Sequence, residues 1–537
     1  MIRQFDLLIK DGRIIDGTGN PYYLADIGIS DGQLIAIDRG FNPDGAKKVI
    51  NAAGLTVSPG FIDTHSHDDA YLIFNPRCDE KILQGVTTEV TGNCGSSLAP
   101  ISKDHREDLR NWSTSAAYLP QDFWEITSFK EYLIKIEAGK PGINVIPLVG
   151  HAAIRIAVLG LEERPPSKAE LEQMKRLTAE AMEDGAFGLS TGLVYAPACF
   201  AQTEEIIELA KIVGQFGGIY STHMRNEGDR QLEAIDEALR IARAAAARVI
   251  ISHHKTVSKE PRFSSIETLK MFARARAEGV EITCDQYPYS AASTNLAAGL
   301  PHSIQAGGPN VYAEKLRSPD VRRAVIEAIE KGADGSRRSF IKTAGFENIV
   351  ITTSKNHKDY IGKSLAEIGK TESRNPYDVF FDLVVEEKKG IGVIMFMLDE
   401  ENIIRIMKNP LTMIGTDGIP GFGAGKVHPR FTGTFPRVLG RYVREQGVLT
   451  LEEAVRKMTS LPAQTFRVKR KGLLKEGFDA DIVIFDPEKI LDKATYQDPA
   501  QSPEGIHWVI VNGVIAVEKG QIIQGNSGKV LRYNQGI

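Results

Sequence analysis

The stretch Pro59-Gly60-Phe61-Ile62-Asp63-Thr64-His65-Ser66-His67-Asp68-Asp69 decides the fold. A short apolar run enters a turn and delivers two histidines two residues apart. On extended backbone, residues at that spacing project to one face, so both imidazoles can reach one ion. A bare His-x-His is also a common polar strand end. Its setting distinguishes this one, because more histidines and a cysteine follow at the ends of later apolar runs. Ligands supplied strand by strand describe a metal site built around a parallel barrel.

Outward from that stretch, helical and strand signals alternate. Lys168 to Asp184 and Gln231 to Ala247 carry apolar residues at helical spacing, whereas Ile143 to Val149, Val249 to Ser252 and Val280 to Cys284 are short β-rich runs. Repeated strand and helix predict an α/β protein with a (β/α)8 TIM-like barrel, an open doubly wound sheet being the competing arrangement. Neither a Gly-x-Gly-x-x-Gly after the first strands nor a Walker-type loop is present, which weakens a nucleotide-binding reading. Residues of about 303–410 are too long for one crossover and predict an inserted lid followed by the last barrel helices.

The two ends have a different texture. Asp6 to Lys10, Arg13 to Asp16, Ala25 to Ile29 and Gln33 to Ile37 read as short antiparallel strands bounded by Asp-Gly or Gly turns. Similar runs return at Ala480 to Phe485 and Trp508 to Val517. Neither end has enough strands to bury a face alone, so 1–60 and 470–537 are expected to pair as one discontinuous β-sandwich domain. The catalytic barrel would then occupy 61–469.

The formal net charge is −4 over 537 residues, with Lys and Arg scattered. This gives no footprint for nucleic acid or an anionic membrane and points to a small-molecule substrate. Met1 to Asp6 opens without a signal-like pattern, and no apolar run is long enough to span a bilayer. Cys78, Cys94, Cys199 and Cys284 lack paired spacing, which suits reduced thiols. A cytoplasmic enzyme is expected.

Polar residues just after apolar runs are the candidates for chemistry in a barrel. After His65 and His67, Cys94 lies in Gly92-Asn93-Cys94-Gly95, His151 follows Val145 to Gly150, and Ser190 and Thr191 follow Leu189. His223 ends Gly218 to Thr222, His253 follows Val249 to Ser252, and Asp417 follows Thr412 to Thr416. Histidines and a cysteine are ligands suited to zinc, and a carboxylate can move protons. His105, His302, His357, His428 and His507 fall outside the series and read as packing or surface residues. His151 and His254 could line the site or pack.

The chain resembles the D-aminoacylase (N-acyl-D-amino-acid deacylase) family of the metal-dependent amidohydrolase superfamily. The resemblance covers nearly the whole chain. It rests on Pro59 to Asp69, Gly92 to Gly95, Gly188-Leu189-Ser190-Thr191-Gly192-Leu193, Ser252-His253-His254-Lys255, Tyr287-Pro288-Tyr289, and His428-Pro429-Arg430 with Gly433 to Pro436. It implies one tight zinc held by Cys94, His223 and His253, with His65 and His67 forming a weaker or vacant second position. Many superfamily members bridge two metals with a carboxylated lysine on the fourth strand. No lysine occurs from Gly185 to Tyr195, and Cys94 takes that place, which argues against a lysine-bridged hydantoinase or dihydroorotase.

The expected reaction is hydrolysis of N-acyl-D-amino acids by a metal-bound water, with Asp417 as general base and then general acid. The resemblance implies that Lys255, Tyr287 and Ser293 hold the substrate α-carboxylate and that Tyr195 stands near the scissile carbonyl. Independently, Lys255 lies two residues beyond His253, so a continuing strand would aim it into the same cavity. No Lys or Arg occurs from Thr294 to His302, which favours neutral or hydrophobic D side chains, although a basic residue from the insertion such as Lys355 would reverse this. Another amidohydrolase, acting on a cyclic amide or a dipeptide, would share the barrel and metal. A non-catalytic metal-binding protein would have no need of Asp417 or Lys255.

Overall fold

The computed structural model describes residues 5–257, 265–331, 339–422 and 425–533. Positions 1–4 and 534–537 of the expected terminal domain, and 332–338 of the expected insertion, lie outside the described residues. Eight parallel strand positions form the central barrel. They are Phe61–Asp63, Val86–Thr91, Asn144–Pro147 continued as Val149–Gly150, Gly188–Gly192, Ile219–His223, Arg248–Ile251, Ile282–Gln286 and Thr412–Ile414. Neighbours pair in parallel in that order. The ring closes where Ser66 bridges Gly418 and the Asp417 amide donates to the His65 carbonyl at 2.7 Å.

The barrel interior is sorted by polarity. Ile62, Val90, Ile146, Phe187, Ile219, Ile250 and Met413 form one buried cluster inside it. Polar residues gather beyond the strand ends, as the fold requires of a functional face. Helices Lys168–Glu183 and Gln231–Ala245 lie within the ranges read from periodicity. The first begins at a capping box between Ser167 and Glu170, and it ends two residues before Gly185, whose φ is +113°.

Strands from both chain ends join in one nine-stranded sheet. It folds back on itself, because Leu34 donates to Phe478 O and Ala480 to Gly32 O. The sandwich is therefore one continuous sheet over a shared core that includes Leu7, Ile27, Leu34, Ile482 and Ile510. Two details differ from the expectation. Asp11-Gly12 is no hairpin turn; it lies inside one strand, Phe5–Ile14, whose register shifts between Ile9 and Gly12. A Cβ at Gly12 would meet Val57 Cγ2 at 2.6 Å, so the bulge requires glycine. The unit is also not purely antiparallel, since Phe5–Ile14 pairs in parallel with Ala46–Asn51.

The insertion begins earlier than expected. Ala291–Asn295, Gly392–Phe396 and Ile349–Thr353 make a three-stranded antiparallel sheet. Helices between them cover it with a separate core that includes Leu296, Tyr312, Leu316, Phe380 and Val393. The barrel resumes with helix Glu400–Lys408 before the eighth strand. No described helix is long and apolar enough to cross a membrane.

Candidate metal centre and active site

At the open end of the barrel, the side chains converge on a cavity of about 650 Å³. His65 and His67 flank Ser66, whose amide donates to Val90 O at 3.1 Å, so the extended run continues past the strand proper. Cys94 sits on the short turn Asn93–Gly95. The preceding Gly92 has φ +74°, and a Cβ there would lie 2.0 Å from Leu148 O, so only glycine permits this turn to press against the third strand. Cys94, His253 and Asp417 themselves have φ of +52°, +36° and +46°. Non-glycine residues rarely adopt this region, and its use at three facing strand ends marks a site where geometry outweighs backbone comfort.

Cys94 Sγ lies 3.4 Å from His65 Nε2, 3.7 Å from His223 Nδ1 and 3.4 Å from His253 Nε2. Around a tetrahedral zinc, neighbouring sulfur and nitrogen donors stand about 3.6 Å apart. Cys94, His65 and His253 each present a donor within 4.8 Å of the other two, and His223 stands 3.7 Å from the same sulfur, so these donors suit such an ion. Burial alone would raise the Cys94 thiol, but the neighbouring charges of His65 and His253, with hydrogen bonds to His223 and His253, pull it well below the usual range. It is poised as a thiolate.

His65 belongs to two groupings of potential ligands, one with Cys94 and His253 and the other with His67 and Asp417. Its Nδ1 lies 3.3 Å from Asp285 Oδ1, which leaves Nε2 facing the centre. Asp285 also accepts the His253 amide at 2.6 Å. Asp417 Oδ1 is 3.1 Å from His67 Nε2 and 3.6 Å from His65 Nε2, and Oδ2 is 2.8 Å from Arg430 Nη1. Burial opposes ionisation of Asp417, but Arg430, His253 and His67 outweigh it and hold the carboxyl well below its ordinary range. It starts as a base.

All the residues expected at the substrate line this cavity: Tyr195, Lys255, Tyr287 and Ser293. Tyr195 packs edge-on against His223 with ring centroids 5.0 Å apart, and its hydroxyl lies 3.3 Å from Thr294 Oγ1. Tyr287 is buried between Lys255 and Arg430, and its hydroxyl has no hydrogen-bond partner among the described residues. Lys255 arrives by a route different from the one expected. The sixth strand ends at Ile251, and the left-handed His253 turns the chain, so strand alternation does not place it.

The amidohydrolase family pattern matches residues 48–517. The chain belongs to the amidohydrolase family. It is 37% identical over 531 residues to the D-aminoacylase of Alcaligenes xylosoxydans xylosoxydans, covering 98% of this chain and 97% of that one. It is 36% identical to the N-acyl-D-glutamate deacylase of the same organism, over 100% of this chain and 98% of that one. The crystal structure of the Bordetella bronchiseptica N-acyl-D-glutamate deacylase, complexed with zinc and a phosphonate mimic of the tetrahedral intermediate, superposes with a TM-score of 0.84. That pair is 35% identical, with 99% of this chain and 100% of the other covered.

This amidohydrolase has site residues that the sequence reading did not assign. His428, read as packing, lines the cavity, accepts the Arg430 amide at 3.0 Å and lies 3.0 Å from Ala291 O. Its presence in the quoted His428-Pro429-Arg430 block was the available signal. Glu227 and Asp285 were also missed; Asp285 at least stands on the seventh strand, where polar residues are worth inspecting. His151 and His254 settle as packing residues, paired with Glu205 at 2.9 Å and Thr268 at 2.9 Å. Lys355, Lys389 and Lys426 line the cavity, so the insertion does bring basic groups to it.

Proposed function

We propose that this amidohydrolase hydrolyses the amide bond of N-acyl-D-amino acids, with Cys94, His223 and His253 holding a zinc ion and His65 and His67 offering a weaker second position. The observation that carries the reading is Asp417. Its ionised carboxylate lies beside His67 and His65 and faces the same cavity as the unpartnered Tyr287 hydroxyl and the Lys255 wall. The deacylase crystallised with zinc and a mimic of the tetrahedral intermediate supports it. When bound, the ion acidifies water and polarises the scissile carbonyl.

The remaining chemistry belongs to the side chains. Asp417 accepts the proton of the attacking water and returns it to the amine nitrogen as the C–N bond breaks, because an amine leaves poorly unless protonated. Arg430 keeps Asp417 ionised and aimed. The α-carboxylate is received by Lys255, Tyr287 and Ser293, and Tyr195 donates towards the carbonyl oxygen. Fixing the carboxylate and the carbonyl leaves two directions at Cα, and the enantiomer whose side chain takes the one that opens into the cavity, the D form in this proposal, is accepted. Ala292, Thr294, Ala298, Met395 and Met397 line the wall beside Ser293 and suit neutral or hydrophobic side chains.

The test is amino acid release from paired N-acetyl-D and N-acetyl-L substrates of Met, Leu, Phe, Asp and Glu. The expected result is turnover of the D series, Met and Leu leading. Asp417→Asn should lower kcat at least about 10²-fold with zinc retained, and Lys255→Ala should act mainly by raising KM. D-Asp or D-Glu leading would instead assign the side-chain pocket to Lys355, Lys389 and Lys426. No turnover of either series by the zinc enzyme would overturn the deacylase reading and redirect the search to cyclic amides and dipeptides.

A further inference from the structure

Glu227 follows the fifth strand by four residues and is engaged on three sides. Its Oε1 lies 3.0 Å from His253 Nδ1 and 2.6 Å from Lys255 Nζ, and its Oε2 lies 3.5 Å from His223 Nε2. These are the imidazole nitrogens that point away from Cys94, since the thiol faces His253 Nε2 and His223 Nδ1. One carboxylate thus stands behind two of the proposed ligands and beside the proposed carboxylate receptor. Glu227, His223 and His253 could also be read as a cation site. The Lys255 ammonium excludes that reading, because it already occupies the space between Glu227 and His253 Nδ1 at 2.6 and 2.8 Å.

The same distances contain a conflict. His253 Nδ1 can accept from Lys255 or donate to Glu227, but one nitrogen cannot do both. An imidazole that offers its Nε2 lone pair to a metal carries its proton on Nδ1, and such ligands usually pass that proton to a carboxylate. Metal loading therefore selects the His253 to Glu227 hydrogen bond and removes one of the three acceptors of Lys255, leaving the ammonium on Glu227 and on His253 O at 2.9 Å with one N–H released for an incoming carboxylate.

We infer that Glu227 is a positioning residue that couples the two halves of the site, fixing the tautomers of His253 and His223 for the metal and presenting Lys255 to the substrate carboxylate. This rests on the proposed ligand set of Cys94, His223 and His253.

The experiment measures zinc affinity of the metal-free full chain by competition with a chromogenic chelator, for wild type, Glu227→Gln, Glu227→Asp and Cys94→Ala. Kinetics at saturating zinc and thermal unfolding of the metal-free proteins accompany it. Loss of outer-sphere carboxylates of this kind weakens metal binding about 10–100-fold. That loss is expected for Glu227→Gln, together with a raised KM, and a smaller loss for Glu227→Asp, whose carboxylate cannot reach both rings. Glu227→Gln also leaves the buried Lys255 ammonium without its carboxylate, so its metal-free midpoint should fall, and zinc affinities are compared at a temperature where every variant is folded. Zinc affinity within twofold of wild type in Glu227→Gln, or a loss in Glu227→Asp as large as in Glu227→Gln, overturns the proposal. If Cys94→Ala binds zinc as wild type does, the ligand set fails instead. If zinc binding responds to Glu227 while no N-acyl-D-amino acid is hydrolysed, the coupling at the metal stands and the substrate assignment fails.

Discussion

The behaviour of Asp417 is set by its neighbours more than by its own chemistry. A buried carboxylate would ordinarily pick up a proton, yet Arg430 at 2.8 Å, with His253 and His67, reverses that tendency. Replacing Arg430 by Met removes the largest of the opposing charges and lets burial raise the Asp417 pKa. A general base works only when ionised, so the acid limb of the kcat/KM profile should move to higher pH, whereas Arg430→Lys should move it less. A pH profile of the zinc-loaded variants measures this directly. Because Arg430 also stacks 4.6 Å over the Tyr287 ring, Arg430→Met should raise KM as well. An unmoved acid limb would mean that another group limits the rate in acid.

Among the elements, the first and eighth strands are held together by charge. Lys81, from the short helix Asp79–Ile82, is fully buried, with Nζ 2.6 Å from Asp63 Oδ2 and 2.8 Å from Thr416 Oγ1. Asp63 in turn accepts the Thr416 amide at 2.8 Å and the His65 amide at 3.2 Å. Asp68 and Glu89 stand 3.4 and 3.7 Å from the same ammonium, and burial pushes both carboxyls up, helped by the charge of Asp63 at Asp68 and by that of Asp68 at Glu89. Removing one member of a buried charged group costs about 3–5 kcal/mol, because its partners remain unpaired. Lys81→Met should therefore lower the unfolding midpoint and, by loosening Thr416 and His65, also lower kcat. Little of this network was legible in the sequence: Asp63 sits in the opening motif, but nothing local pairs it with Lys81 or Thr416. His65, His67, Cys94, His223, His253 and Asp417 were legible because each follows an apolar run, and a barrel brings such ends together. Lys255 is implied by the resemblance and agrees with strand spacing, although a turn at His253 delivers it. Asp11-Gly12 misled because a bulge and a hairpin turn use the same dipeptide.

In the whole molecule, the polar face of the barrel is supported by closure of the opposite face. Leu461, Phe466, Leu531 and Tyr533 belong to or pack against the interior apolar cluster. The last two come from a tail that leaves the terminal sheet. Val145 donates to Lys529 O at 2.9 Å and Leu531 to Val145 O at 2.8 Å, and Tyr533 reaches Gly185 O through its amide and Gly217 O through its hydroxyl. The tail thus ties the third strand to the starts of the fourth and fifth, although its sequence belongs with the 470–537 segment. Tyr533→Ala removes a ring packed edge-on against Phe187 and one hydrogen bond, a loss of about 1–3 kcal/mol. Because the change lies at the barrel end opposite the ligands, it should lower the melting temperature while leaving zinc affinity, kcat and KM at wild-type values. Thermal unfolding and steady-state kinetics on the same preparation separate the two effects, and a loss of zinc affinity would mean that strain at the closed end reaches the metal centre through the strands.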